Sequence, residues 1–197
     1  MKREPLPRRS RSDNETGFSL IEVLISVLVL SVGLIGTAMV QLHAFRTTEQ
    51  SSFHNTALAL AMQIADEIRA NTQQMQLTAD NPFESFRYKV ETAAPDEMPS
   101  PNCYKAACTP ANWATHSMIE WRKRVFETLP GGRLEICRDA VVFDDASSDF
   151  RWCEGHLAGG ADAPVVVKVS WLEKSQEGKP VGGAAPRVAI LVSPFTQ

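Results

Sequence analysis

Between Val23 and Phe45 this sequence of 197 residues contains no Asp, Glu, Lys or Arg, and between Phe18 and Asn81 it contains no proline. A helix of that length inside a soluble domain keeps a polar stripe; this one has none. At 1.5 Å per residue the uncharged run makes a helix of about 34 Å, enough to cross a hydrocarbon core of roughly 30 Å. The missing proline lets the helix continue past the apolar run. An excess of positive charge is also lacking: the formal net charge is -3, so no basic face draws the chain to nucleic acid. Paired C-x2-C knuckles, an HExxH pair, a phosphate loop and a nucleophile elbow are all missing, which leaves no catalytic site, no metal centre, no cofactor and no small-molecule substrate to expect. There is no internal repeat.

What is present is sharply divided. Residues 1–17 hold five basic side chains (Lys2, Arg3, Arg8, Arg9, Arg11) against three acidic ones (Glu4, Asp13, Glu15), while the remaining residues carry 15 basic and 20 acidic groups. Cations clustered before the apolar run place the N-terminus in the cytoplasm and everything after Phe45 across the inner membrane, in the periplasm. The run is longer than the apolar region of an ordinary secretory signal, about 7 to 15 residues. Its small residues Gly33, Gly36 and Ala38 serve close helix packing as well as they would serve processing.

One carboxylate is out of place. Glu22 lies five residues into GFSLIEVLISVLVL, where an ionised side chain costs about 2.5 to 3.5 kcal/mol near the bilayer centre. Such a group needs an interface or a partner. The run Gly17-Phe18-Ser19-Leu20-Ile21-Glu22, after a basic leader and before an uncharged helix, resembles the class III signal of type IV prepilins and pseudopilins. The resemblance implies that a prepilin peptidase cuts between Gly17 and Phe18 on the cytoplasmic face and methylates the new amino terminus of Phe18. The helix then stays attached and becomes the packing core of a filament. Glycine beside the scissile bond leaves room for the protease, and Glu22 can set subunit register by pairing with the ammonium of Phe18, since a buried carboxylate is tolerated when paired.

Past Arg46 the pattern turns amphipathic. Ala57, Leu60, Ala61, Ile64, Ala65 and Ile68 recur at helical spacing, and the same helix is expected to run from 18 to about 74, ending at Asn71 or Asn81-Pro82. Residues 92–101 read as a proline-rich loop. Thr109-Pro110 reads as an N-cap with proline at the first helical position, opening a helix with Met118, Trp121, Val125, Phe126 and Leu129 on one face, stopped by Leu129-Pro130-Gly131-Gly132. Strands are expected at 133–137, 140–143, 165–172 and 187–192, the last two forming an antiparallel hairpin. The class is α+β: a long N-terminal helix packed on a small antiparallel sheet. The divisions are a removed leader at 1–17, a transmembrane or filament-core helix at 18–45, its amphipathic continuation at 46–75 and a periplasmic head at 76–197.

Cys103, Cys108, Cys137 and Cys153 all fall in the outward part, an oxidising compartment, so disulfides are expected. Three pairings are possible; proximity in sequence favours Cys103 with Cys108 and Cys137 with Cys153. A zinc site of these cysteines with His156 lacks the usual ligand spacing. Asp145, Ser147 and Asp149 match calcium-loop positions, but Phe150 stands where glycine is required and His156 where a bidentate glutamate is, so the segment reads as a solvated acidic turn. Arg122-Lys123-Arg124 reads as the exposed face of its helix, too few charges for phosphate affinity.

The helix ending LALAMQIADEIRAN, the Cys-containing loop, the Trp-bearing helix running into Leu129-Pro130-Gly131-Gly132 and the closing VKVSWLE and RVAILV segments resemble the PilV group of minor pilins. The stretch just before Trp121 departs from that pattern: an Asp is expected there, and His116 to Glu120 stand instead. The resemblance implies a structural subunit, not an enzyme, that primes type IV pilus assembly at the filament tip and supports twitching motility and adhesion. Implied partners are the prepilin peptidase and methyltransferase, other minor pilins, the major pilin and a PilY-type tip adhesin. A type II secretion pseudopilin shares the signal and the helix; a membrane-anchored periplasmic binding or DNA-uptake protein is the reading from another class.

Overall fold

In a computed structural model of the chain, residues 17–77, 81–90, 95, 102–153, 163–174 and 180–192 are described. The chain divides into two compact units, Met1–Arg46 and Thr47–Gln197. Helix α1 (Leu20–Ala70) contributes to both. Its residues up to Arg46 are all exposed.

In the second unit α1 becomes one-sided. Ala57, Leu60, Ala61, Ile64, Ala65 and Ile68 are buried in the core, on the face set by the helical repeat. The expected extension to 74 stops at Ala70. Asn71 leaves helical geometry (φ -92°, ψ 59°), its side-chain amide donates to the Pro110 carbonyl (3.2 Å), and only the short turn α2 (Thr72–Met75) follows.

The rest of the core is a four-stranded antiparallel sheet in the order β1-β2-β5-β8, from β1 (Arg87–Lys89), β2 (Arg133–Arg138), β5 (Val165–Ser170) and β8 (Val188–Val192). Two-stranded ribbons β3 (Phe143–Asp144) with β4 (Asp149–Phe150) and β6 (Leu172–Lys174) with β7 (Pro180–Gly182) complete it. Register assigns the faces. Leu134 lies opposite Val169 and Val169 opposite Val188; Ile136, Val167 and Ile190 make the next row, and these belong to the core with α1. Glu135, Lys168 and Ala189 line up on the other face.

Helix α3 (Pro110–Thr128) opens as expected: Thr109 Oγ1 accepts from the Asn112 amide (3.3 Å) and proline sits in the first turn. Its Trp121 is the pivot of the core. The buried ring packs against Phe83 and Phe86 (centroids 5.7 and 5.9 Å), and Nε1 donates to Glu67 on α1 (2.7 Å), giving the indole the polar partner it needs when buried. Gly131, at φ +56°, makes the turn into β2; a Cβ there would lie 2.4 Å from Leu172.

Several expectations are corrected. The strand expected at 140–143 survives only at Phe143–Asp144, because Asp139 turns inward and its Oδ1 accepts from the Val141 amide (2.9 Å), bending the chain. The strand at 165–172 splits at buried Trp171, because the Leu172 amide leaves the sheet for the Pro130 carbonyl (2.8 Å). The three-residue edge strand β1 was not expected. On α3, Met118 and Phe126 are half-buried while His116 and Ser117 are buried. Arg122-Lys123-Arg124 is no exposed face: Arg122 lies over Phe86 (5.4 Å) and Arg124 reaches Glu120 (3.3 Å) and Glu67 (4.0 Å), leaving Lys123 exposed.

On the far face of the sheet, Lys168 is 0% exposed. Its ammonium meets the Asp139 carboxylate and the Arg151 carbonyl (2.5 Å). Beside it buried Glu135 accepts from Arg133 (2.5 Å) and from the Cys153 amide (3.2 Å). The segment between Asp139 and Cys153 thus closes over buried charge. Removing one member of such a pair costs about 3 to 5 kcal/mol, whereas replacing both by apolar groups is near neutral. Asp139→Ala is expected to lower the melting temperature of the detergent-solubilised full chain far more than Asp139→Leu combined with Lys168→Met, as followed by near-ultraviolet tryptophan signal.

Candidate processing and assembly site

Gly17, Phe18 and Ser19 precede α1 in non-helical backbone. The Ser19 carbonyl accepts from the Glu22 and Val23 amides (3.0 and 3.3 Å), which fixes the helix start after Ser19. The Gly17-Phe18 peptide bond therefore stands outside the helix, where a protease can take it as extended chain. A Cβ on Gly17 would meet nothing within 4 Å. The described fold itself makes no steric demand for glycine there.

Glu22 lies exposed in the first turn of α1, where a carboxylate faces the positive end of the helix dipole. While residues 1–17 are attached, Phe18 N is an amide and carries no charge.

Downstream the helix satisfies its own polar groups. Ser26, Ser31 and Thr37 hydroxyls donate to the Val23, Leu28 and Leu34 carbonyls (2.8, 2.7 and 2.9 Å). In hydrocarbon every polar group needs such a partner. These three residues were missed by the sequence reading, although their signal was legible: isolated hydroxyls in an apolar helix bond back to the preceding turn. The helix is long and apolar enough to cross a membrane.

Gly17, Phe18 and Glu22 lie in the first unit and the four cysteines in the second. Cys103 is joined to Cys108 and Cys137 to Cys153. The first bond pins a loop whose Tyr104 Oη donates to Glu120 on α3 (2.5 Å); that bond, with some burial, holds the phenol above its usual pKa of 10.0. Tyr104 also meets His116 edge-on (4.8 Å), and His116 stacks on Trp113 (5.8 Å). The second bond ties the end of β2 to the close of the 139–153 segment. Trp152 there lies under the Arg133 guanidinium (3.9 Å) and donates to the Ala184 carbonyl (3.0 Å).

Asp145 and Ser147 are exposed in the turn between β3 and β4, and Asp149 is exposed in β4. Asp144 accepts from the Ala146 amide (3.0 Å), a bond that, with the Ser147 hydroxyl, holds its carboxyl below the usual range. Among the described residues no group of three metal-ligating side chains comes together. His156 and the leader residues 1–16 lie outside them, as does nearly all of the 92–101 loop.

Residues 12–38 match the family model for the prokaryotic N-terminal methylation motif. No curated protein and no solved structure matches the chain. A methylation motif at the start of a long N-terminal helix, with a small antiparallel sheet later in the chain, is an α+β arrangement consistent with a type IV pilin-like fold.

Proposed function

We propose that this chain is a minor pilin of the type IV pilus, PilV-like, a structural subunit that primes assembly at the filament tip and thereby supports twitching motility and adhesion. The observation that carries the reading is the signal itself: GFSLIE at the start of an uncharged exposed helix, within the matched motif at 12–38. In this reading the unprocessed chain spans the inner membrane once, N-terminus in the cytoplasm and head in the periplasm. The prepilin peptidase removes residues 1–17 and methylates Phe18. The uncharged helix then exchanges lipid for neighbouring helices, and Glu22 exchanges water or headgroup for the ammonium of Phe18 on the same or an adjacent subunit. That exchange converts an isolated carboxylate, costly in an apolar surrounding, into a paired one. The major pilin, other minor pilins and a PilY-type adhesin are the assembly partners. In this reading the chain is structural, and nothing in it is asked to catalyse.

Intact and N-terminal peptide mass spectrometry on unreduced protein from its native membrane tests processing directly. The expected chain begins at N-methylated Phe18 and, because two disulfides are present, weighs four hydrogens less than its reduced form. A chain still beginning at Met1 in cells with active peptidase, or cut beyond Phe45, sinks the proposal. Glu22→Ala is expected to abolish incorporation into sheared pili while leaving the melting temperature of the head unchanged. Normal incorporation of that variant would rule out the register role. A deletion strain is expected to lose twitching and keep protein secretion; the opposite pattern assigns the chain to a secretion pseudopilus.

A further inference from the structure

On the far face of the sheet a lysine ammonium and an aspartate carboxylate lie in contact, nearly sealed from water: the side chain of Lys168 is 0% exposed and that of Asp139 6%. Charges taken out of water gain by neutralising each other. Proton transfer within the pair leaves an amine against a carboxylic acid, two groups that condense to an amide with loss of water. Condensation needs more than contact, and the remaining bonds of the two side chains supply the geometry.

The two carboxylate oxygens of Asp139 hold different partners. Oδ1 accepts from the Val141 amide (2.9 Å), and Oδ2 meets Lys168 Nζ. An amine attacking Cγ puts negative charge on Oδ1, where a fixed backbone N–H already stands as an oxyanion donor. Oδ2, on the amine side, is the oxygen placed to collect protons and leave. The amine has a second acceptor, the Arg151 carbonyl (2.5 Å), which holds one N–H aside. Both acceptors are anchored through backbone: the Asp139 amide donates to the Pro164 carbonyl (3.0 Å) and the Arg151 amide to the Val142 carbonyl (3.0 Å). Asp139 follows Cys137 by two residues and Arg151 precedes Cys153 by two, so the Cys137–Cys153 disulfide ties together the chain ends that bracket the lysine. Glu135, opposite Lys168 in the strand register, is occupied by Arg133 and the Cys153 amide. Groups held in reactive geometry reach effective concentrations of about 10⁵ to 10⁸ M, and exclusion of water suppresses the reverse hydrolysis.

We propose that Lys168 Nζ and Asp139 Cγ condense to an isopeptide bond, a covalent cross-link between β5 and the segment that follows β2. Of the three ammonium hydrogens, one passes to Oδ2 before attack and a second after the C–N bond has formed. Oδ2 departs with both as water, the C–O bond to it breaks, and the carbonyl re-forms at Oδ1. The two charges of the pair cancel, and no outside reagent takes part. The third hydrogen stays as the amide N–H and keeps the Arg151 carbonyl, while Oδ1 keeps the Val141 amide. Each polar atom of the product thus retains a partner, as buried polar groups require. The bond forms whether or not the chain enters a filament.

The full chain, purified in detergent from its native membrane, is unfolded, reduced and alkylated, and its intact mass is compared with that calculated for the N-terminus found in the same sample. The expected mass is lower by one water. Trypsin, which does not cut after an acylated lysine, is expected to release peptide 139–151 joined to peptide 152–174. An uncut 139–174 peptide has the same mass, so the fragment spectrum decides between them: two N-termini, Asp139 and Trp152, are expected. The chain carrying Asp139→Leu with Lys168→Met is expected at full mass. A wild-type chain at full mass, a water loss placed elsewhere, such as an imide at a single aspartate, or a deficit that persists in the double variant overturns the bond. Should the double variant fail to accumulate, the wild-type fragment spectrum decides alone.

Discussion

The head is organised by one face of α1. Ala57, Ala61 and Ala65 are wholly buried at four-residue intervals, with Leu60, Ile64 and Ile68 interleaved. Alanines at that spacing keep the middle of the face flat, so the larger residues of the other elements can lie against it. Trp121 is the chief of these. It brings α3 onto α1 by filling space and by bonding Glu67, and Phe83 and Phe86 close on its ring from the segment before β1. The core rows of β2, β5 and β8 supply the remaining surface.

The opposite face of the sheet follows a different rule. There Lys168, Asp139 and Glu135 are buried polar groups that hold each other's charge, under a segment whose two ends are joined at Cys137 and Cys153. A covalent closure raises the local concentration of the groups it brings together, which favours an ionic cluster that apolar packing alone would not hold. The helix side of the sheet is held by area, the far side by charge and a covalent tie.

How much of this the sequence disclosed depended on the reach of the interactions involved. The uncharged run, the buried face of α1, the cap at Thr109 and the central strand 165–170 all follow from periodicity or neighbours three or four residues away, and were legible. The methylation motif, matched over residues 12–38, was legible because its residues are contiguous. What escaped was set by distant partners. Of the two stops the sequence offered for α1, the choice of Asn71 depends on its reaching Pro110, the lost strand at 140–142 on Asp139 reaching Lys168, and the covering of Arg122 on Phe86. Apolar spacing marks which residues leave water; it does not say which cation across the chain will accompany an inward-turned carboxylate.

The sheet order carries one more consequence. β5 stands between β2 and β8, and β8 brings Val188 and Val192 into the core while its Leu191 carbonyl receives Arg69 from α1, 122 residues earlier in the chain. Contacts of such long sequence separation form late, because the loop between them must close first. The covering of the α1 face, begun by α3, β2 and β5, is therefore completed only once β8 is in place. A chain interrupted before β8 would lack the Val188 and Val192 packing and the Arg69–Leu191 bond. Placing a core strand so late makes completion of the sheet a test of intactness, taken by each molecule before it has a finished surface to present to any neighbour.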